Sequence, residues 1–186
     1  DSELFSTAVP PNVVLLVDNS GSMNNVVWHP SFDPTKASSF YGCTNWSSST
    51  GTEETLYSSS STITRCGNTR TIFLDPAIGS DATRWNHRYL NWYFSDAADA
   101  YVSEITSTNN DTNGACAQGL GAPATFGKYR STRVTAIQDV LRNVICDVNA
   151  AGKVRFGVAQ FRRAGGDDDP NGGYVVVPVN DYKWDH

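Results

Sequence analysis

The sequence predicts an α/β fold, and three observations lead there. Residues 12–17 form an apolar run, Asn-Val-Val-Leu-Leu-Val, that ends abruptly in Asp18-Asn19-Ser20-Gly21-Ser22-Met23. Val134, Ile137, Leu141, Val144 and Val148 recur at spacings of three and four, which lines one face of a helix over 131–149. Two further apolar runs follow, at 154–161 and 174–179. Strand, helix, strand in this order is the crossover unit of α/β proteins.

Each element has a local reason. The first run follows Pro10 and Pro11 and is apolar at every position after Asn12, so it reads as a strand buried on both faces of a parallel sheet. Ser131 or Thr132 caps the helix and Gly152 ends it. The stretch 162–173 is rich in Gly and Asp and reads as a hairpin connection between the last two strands. Between the polar loop and the helix lies 24–130, which holds four of the five tryptophans, three of the four cysteines and a Ser/Thr tract over 47–61. A structureless loop of that length is improbable inside a compact domain, so it is expected to have folded parts of its own. The best helical candidate there is 83–105, where Trp85, Tyr89, Trp92, Tyr93, Ala97, Tyr101 and Ile105 fall near helical spacing. Core packing explains these aromatics better than a binding surface does.

Composition narrows the function. There are 14 Lys plus Arg against 19 Asp plus Glu, a net charge of −5. The pI is about 5.0. A nucleic-acid binder normally shows a basic patch, so that class is excluded. No apolar run approaches the roughly 20 residues that span a bilayer, so no transmembrane segment is expected. The absence of a start methionine and of a leader implies a processed or trimmed N-terminus. Cys43, Cys66, Cys116 and Cys146 show no C-x-x-C pair, which argues for two disulfides in an exported protein rather than a zinc site. Of three possible pairings, sequence proximity favours Cys43–Cys66 with Cys116–Cys146; an ordinary buried thiol at Cys146 is the alternative.

Asp18, Ser20 and Ser22 offer one carboxylate and two hydroxyls, hard oxygen donors suited to Mg²⁺ or Mn²⁺. They stand just past the carboxyl end of a strand, where open α/β sheets bind ligands. Gly21 is expected to permit the turn and Met23 to close the loop against the core.

The run from Asn12 to Met23, with its D-x-S-G-S-M wording, resembles the opening strand and metal-ion-dependent adhesion site of a von Willebrand factor A domain. The following helix and hairpin match that family's next elements in order. Within the family the chain is most similar to the N-terminal domain of PilY-type tip adhesins of bacterial type IV pili. Those share a Pro-Asn-apolar lead and a long aromatic, Ser/Asn-rich insertion. Here 88–94 and 132–141 resemble the end of that insertion and the helix start. The likeness covers 11–23 and 131–179 well and the insertion loosely.

The resemblance implies a partial, doubly wound, Rossmann-like sheet with a long, partly helical, disulfide-containing insertion. Residues 1–23 would be the first strand and metal loop, 24–130 the insertion, and 131–186 the first helix and strand hairpin. It implies that Ser20 and Ser22 ligate Mg²⁺ or Mn²⁺ directly, with Asp18 acting directly or through water. The family's later threonine and aspartate have no matching position, so metal is expected to bind weakly, since Mg²⁺ demands near-octahedral oxygen coordination. An open coordination position would receive a carboxylate from a host or surface ligand. Other pilus-tip proteins, the minor pilins, are the further partners implied. The expected location is the exterior: cell surface, pilus tip, or periplasm in transit. Outside 24–130 the chain holds one crossover and one hairpin, too little for a doubly wound sheet. The first strand is therefore expected to present an unpaired edge, and the chain to be the N-terminal part of a longer protein.

Other constellations carry less. Asp167-x-Asp169-x-Asn171-Gly172 matches half of a calcium loop, but position 12 is Pro178 where a bidentate glutamate is needed, so a solvated hairpin tip is preferred to a Ca²⁺ site. His29, His87 and His186 are isolated from one another and read as surface or packing residues. Asn45-Trp46-Ser47 and Asn110-Asp111-Thr112 are glycosylation sequons by pattern alone. A haloacid-dehalogenase-type phosphatase needs an aspartate where Ser20 stands, and neither Ser20 nor Ser22 lies in Gly-x-Ser-x-Gly. The expected function is therefore non-enzymatic: metal-dependent adhesion at a pilus tip, supporting surface attachment and pilus biogenesis. The alternative is a structural or force-bearing spacer with a vestigial metal site.

Overall fold

The computed structural model describes residues 11–18, 20–47, 51–75, 78, 81–107, 129–149, 154–161 and 173–180. Its first strand, β1 (Asn12–Val17), pairs in parallel with β6 (Arg155–Phe161), and β6 pairs antiparallel with β7 (Gly173–Asn180) in the order β1-β6-β7. Helix α3 (Arg133–Asn149) precedes β6 in the chain. The strand–helix–strand–hairpin order thus forms as the apolar pattern requires, and β1 is the sheet edge among the described residues.

Burial on β1 differs from expectation. Val13, Leu15 and Val17 are half-buried and share a face with Phe156, Val158 and Gln160, their register partners. Val14 and Leu16 on the other face are 56% and 61% exposed. The strand is therefore buried on one face and not on two: with three strands, no described element covers the other side. Helix α3 shows the same incompleteness, with Val134 and Leu141 half-buried but Ile137 and Val144 exposed.

The main core lies elsewhere. Among the described residues, the buried apolar cluster runs from Val26 to Tyr129 and falls wholly inside the segment between the polar loop and α3. Two small antiparallel sheets frame it: β2 (Glu54–Tyr57) with β5 (Thr83–Asn86), and β3 (Ser61–Arg65) with β4 (Asn68–Ile72). Trp85, Tyr89, Trp92 and Tyr93 are essentially inaccessible, and their rings interlock: Trp85 stacks on Tyr89 at 5.9 Å, Tyr89 on Trp92 at 5.3 Å, and Phe73 meets Trp85 edge-on at 4.8 Å. Each such pair adds roughly 0.5–1.5 kcal/mol beyond area burial. The aromatics are core, as their spacing suggests.

The single helix expected over 83–105 is broken into pieces. Residues 83–86 are taken by strand pairing with β2, after which Asn86 caps α1 (His87–Tyr93) by accepting from the Arg88 and Tyr89 N–H groups. A 3₁₀ turn, Asp96–Tyr101, and α2 (Val102–Thr106) follow. Cross-strand pairing overrides helical periodicity at one end, and the Ser95 hydroxyl turns back to the Trp92 carbonyl at the break.

Cys43 and Cys66 form a disulfide. Cys66 and Gly67 make the two-residue turn of the β3–β4 hairpin, with φ of 51° and 84°, the doubly left-handed geometry that suits strand twist. Cys116 and the side chain of Cys146 lie outside the described residues, as does 167–172. His29 is buried against the rings of Trp92 and Tyr101; its Nδ1 accepts the Ser31 N–H and its Nε2 lies 3.2 Å from Glu104. His87 packs with Thr55 and the Ser47 carbonyl. Both are packing histidines; His186 lies outside the described residues.

Candidate functional site

The polar loop begins where β1 ends. The Asp18 carboxylate accepts the Ser20 N–H at 2.8 Å, folding the chain back on itself. A 3₁₀ turn over Gly21–Asn24 follows, with the Met23 N–H donating to the Ser20 carbonyl at 2.9 Å. Met23 is buried and anchors the turn, as expected. Ser20 and Ser22 stay exposed and Asp18 half-exposed.

The structure brings the two hydroxyls together, with Ser20 Oγ and Ser22 Oγ 2.8 Å apart. Two neighbouring ligands of an octahedral Mg²⁺, each about 2.0–2.1 Å from the ion, stand about 2.8–3.0 Å from one another. The two hydroxyls are hydrogen-bonded to one another, and this ordinary O–H···O separation also equals one edge of that octahedron. The donor set is short: it contains one carboxylate, and the described residues hold no group of three or more His, Cys, Asp or Glu that could hold a metal.

Gly21 serves a different purpose from the one expected of it. It is not among the glycines with positive φ, so the turn itself does not require it. What packs against it is Arg84: a methyl group on Gly21 would come within 2.9 Å of Arg84 Nη2 and 3.3 Å of Cζ, and the flexible guanidinium would have to shift. Arg84 belongs to β5, whose backbone runs beside the loop's exit: the Val26 N–H donates to the Arg84 carbonyl at 3.0 Å. Its Nη1 lies 3.5 Å from Glu54 Oε2. Close by, Asn24 Nδ2 donates to Asp81 at 3.3 Å.

Two charged residues of the segment 24–130, Asp81 and Arg84, thus border the loop, and Glu54 pairs with Arg84. Sequence reading assigned none of them to the site. Arg84 lies 62 positions or more from each serine in a strand with no motif, and only the β5 bridge to 25–26 brings it near. Comparison with family models, with curated proteins and with solved structures returns no match to this chain.

Proposed function

We propose that this chain is a non-enzymatic, metal-ion-dependent adhesion or interaction domain of the von Willebrand factor A type, exported and carried at the tip of a bacterial type IV pilus. The observation that supports the reading is the convergence of the Ser20 and Ser22 hydroxyls, hydrogen-bonded to one another just past the carboxyl end of a parallel strand. The order β1-β6-β7, with β1 parallel to β6 and β7 reversed, also agrees with the opening half of such a sheet. Ser20 and Ser22 would hold Mg²⁺ or Mn²⁺, with Asp18 contributing directly or through water. An ion held there would supply Lewis acidity toward a carboxylate of the partner. The loop's own work is to hold two hydroxyls and a carboxylate in one place, which the Asp18–Ser20 bond and the buried Met23 anchor accomplish.

A second reading, a structural or force-bearing spacer, is favoured by one observation: among the described residues, the buried apolar cluster and the Cys43–Cys66 disulfide both lie in the segment 24–130. The two separate on adhesion of the complete exported protein to host cells or an abiotic surface. The adhesion reading expects attachment in Mg²⁺ or Mn²⁺ that is abolished by chelator and by Ser20→Ala combined with Ser22→Ala. Attachment that persists unchanged in chelator overturns it and leaves the spacer.

A further inference from the structure

We infer that Arg84 is the anion-recognising partner of the 18–22 loop, a guanidinium that binds the carboxylate of the acidic ligand and makes ligand and metal binding depend on each other. This rests on the metal-loop reading above and adds to it a residue, a charge and a coupling.

The geometry begins with Gly21. The Arg84 guanidinium lies against the Gly21 backbone of the turn that presents Ser20 and Ser22, where an added methyl would push it aside. The arginine is underused by the protein itself. Of the five N–H donors a guanidinium carries, Nη1 makes a long 3.5 Å contact to Glu54, and Nε is buried with no hydrogen-bond partner among the described residues. Asn25 Oδ1, at the end of the same turn, is also buried without a partner. Both atoms are sealed from solvent, so an outside carboxylate meets the exposed part of the arginine rather than Nε. The Arg84 side chain is 37% exposed, so it is reachable from solvent.

Electrostatics then define what fits. A fixed positive charge against the loop opposes a divalent cation bound there alone. A carboxylate that reaches both the cation and the guanidinium relieves that repulsion, and guanidinium is the group best shaped for carboxylate oxygens. By linkage, an anion that raises cation affinity has its own affinity raised by the same factor. Glu54 acts as the internal competitor: it occupies Nη1 loosely until an outside carboxylate arrives. The partner chemistry is therefore an acidic side chain or a chain terminus. A neutral or basic surface does not meet it.

The test uses Mn²⁺, followed by its electron paramagnetic resonance signal, with acetate as the carboxylate probe on the purified chain. In the wild type, acetate is expected to tighten Mn²⁺ binding by about fivefold or more, within the usual range of site-to-site coupling. Arg84→Gln should bind Mn²⁺ more tightly than wild type without acetate and lose most of the acetate effect. Glu54→Gln, which frees the guanidinium, should enlarge it; this variant decides the matter if Arg84→Gln fails to fold. Mn²⁺ binding whose acetate dependence is the same in all three proteins overturns the role of Arg84 while leaving the metal loop standing. No Mn²⁺ binding in the wild type, with or without acetate, overturns the metal reading and this inference together.

Discussion

Asp75 Oδ2 accepts both the backbone N–H and the hydroxyl of Thr132, at 2.7 and 2.8 Å, from a carboxylate that is wholly buried. The Thr135 hydroxyl donates to the same oxygen at 2.7 Å. Thr132 stands immediately before α3, so the helix start is held by a carboxylate contributed 57 residues earlier, from inside the insertion. A negative group at that position also complements the positive end of the helix dipole.

Replacing Asp75 by Ala leaves an N–H and two hydroxyls buried without their acceptor. We expect a loss of roughly 3 kcal/mol of unfolding free energy, by analogy with other broken buried networks. Urea denaturation followed by far-ultraviolet circular dichroism measures it. A change below about 0.5 kcal/mol, the level of an ordinary surface substitution, would show that the contact does not hold the helix.

The disulfide should matter by a comparable amount. Closing the 23-residue separation between Cys43 and Cys66 restricts the unfolded chain, and loop-closure entropy gives about 3 kcal/mol for such a span. The Cys43→Ser, Cys66→Ser double variant is expected to lose about that much. Peptide mapping without reductant should recover the Cys43–Cys66 linked fragment; recovery of both thiols alkylated would remove the bond from the account.

Alkaline pH offers a separate probe of the aromatic core. Burial raises the Tyr93 phenol to about 12, against a lowering influence of Arg70 and Arg130, and raises Tyr89 as well, chiefly by burial. A phenol raised in the folded state contributes stability that is complete below the unfolded value of about 10 and is lost as pH climbs through the folded value. We therefore expect full stability up to about pH 10 and unfolding between about 10 and 12. Tyrosinate absorbance should rise in two stages, the second coinciding with loss of near-ultraviolet dichroism. A single stage near pH 10 with the fold intact would contradict the burial of these rings.

Gly21→Ala tests the packing of the loop. The added methyl meets the flexible end of Arg84 rather than backbone, so the expected outcome is a modest stability loss of about 1 kcal/mol with the guanidinium displaced. Thermal denaturation reports the first. A loss of about 3 kcal/mol or more would mean that Arg84 has no room to move.

Much of the scaffold was legible because its signals are local. The apolar run at 12–17, the spacing from Val134 to Val144 and the two later runs each identify an element, and their order names the pairing. The position of Ser20 and Ser22 followed from the same logic. What stayed hidden depends on contacts distant in sequence. Nothing in Thr83-Arg84-Trp85-Asn86 shows that it will pair with 54–57 and extend along 25–26, so the helical spacing of the aromatics carried the reading there. An unbroken apolar run does not show how many strands will flank it, which is why Val14 and Leu16 were expected to be covered. Asp75 and Arg84 carry no motif; each gains its role from a bridge that the folded insertion creates.

The insertion is also closed at its base. Residues 25–27 and 131–133 hydrogen-bond to one another where the chain leaves the scaffold and returns, through Val27 N–H to the Ser131 carbonyl and Arg133 N–H to the Asn25 carbonyl, both 2.9 Å. Such a zipped stem makes everything between its two sides a side branch. Lengthening a branch costs only the slow logarithm of loop closure, about 0.6 kcal/mol per doubling. A change of length within this segment, away from its core and with the Asp75 carboxylate kept for Thr132, is therefore expected to leave the sheet that bears it in place.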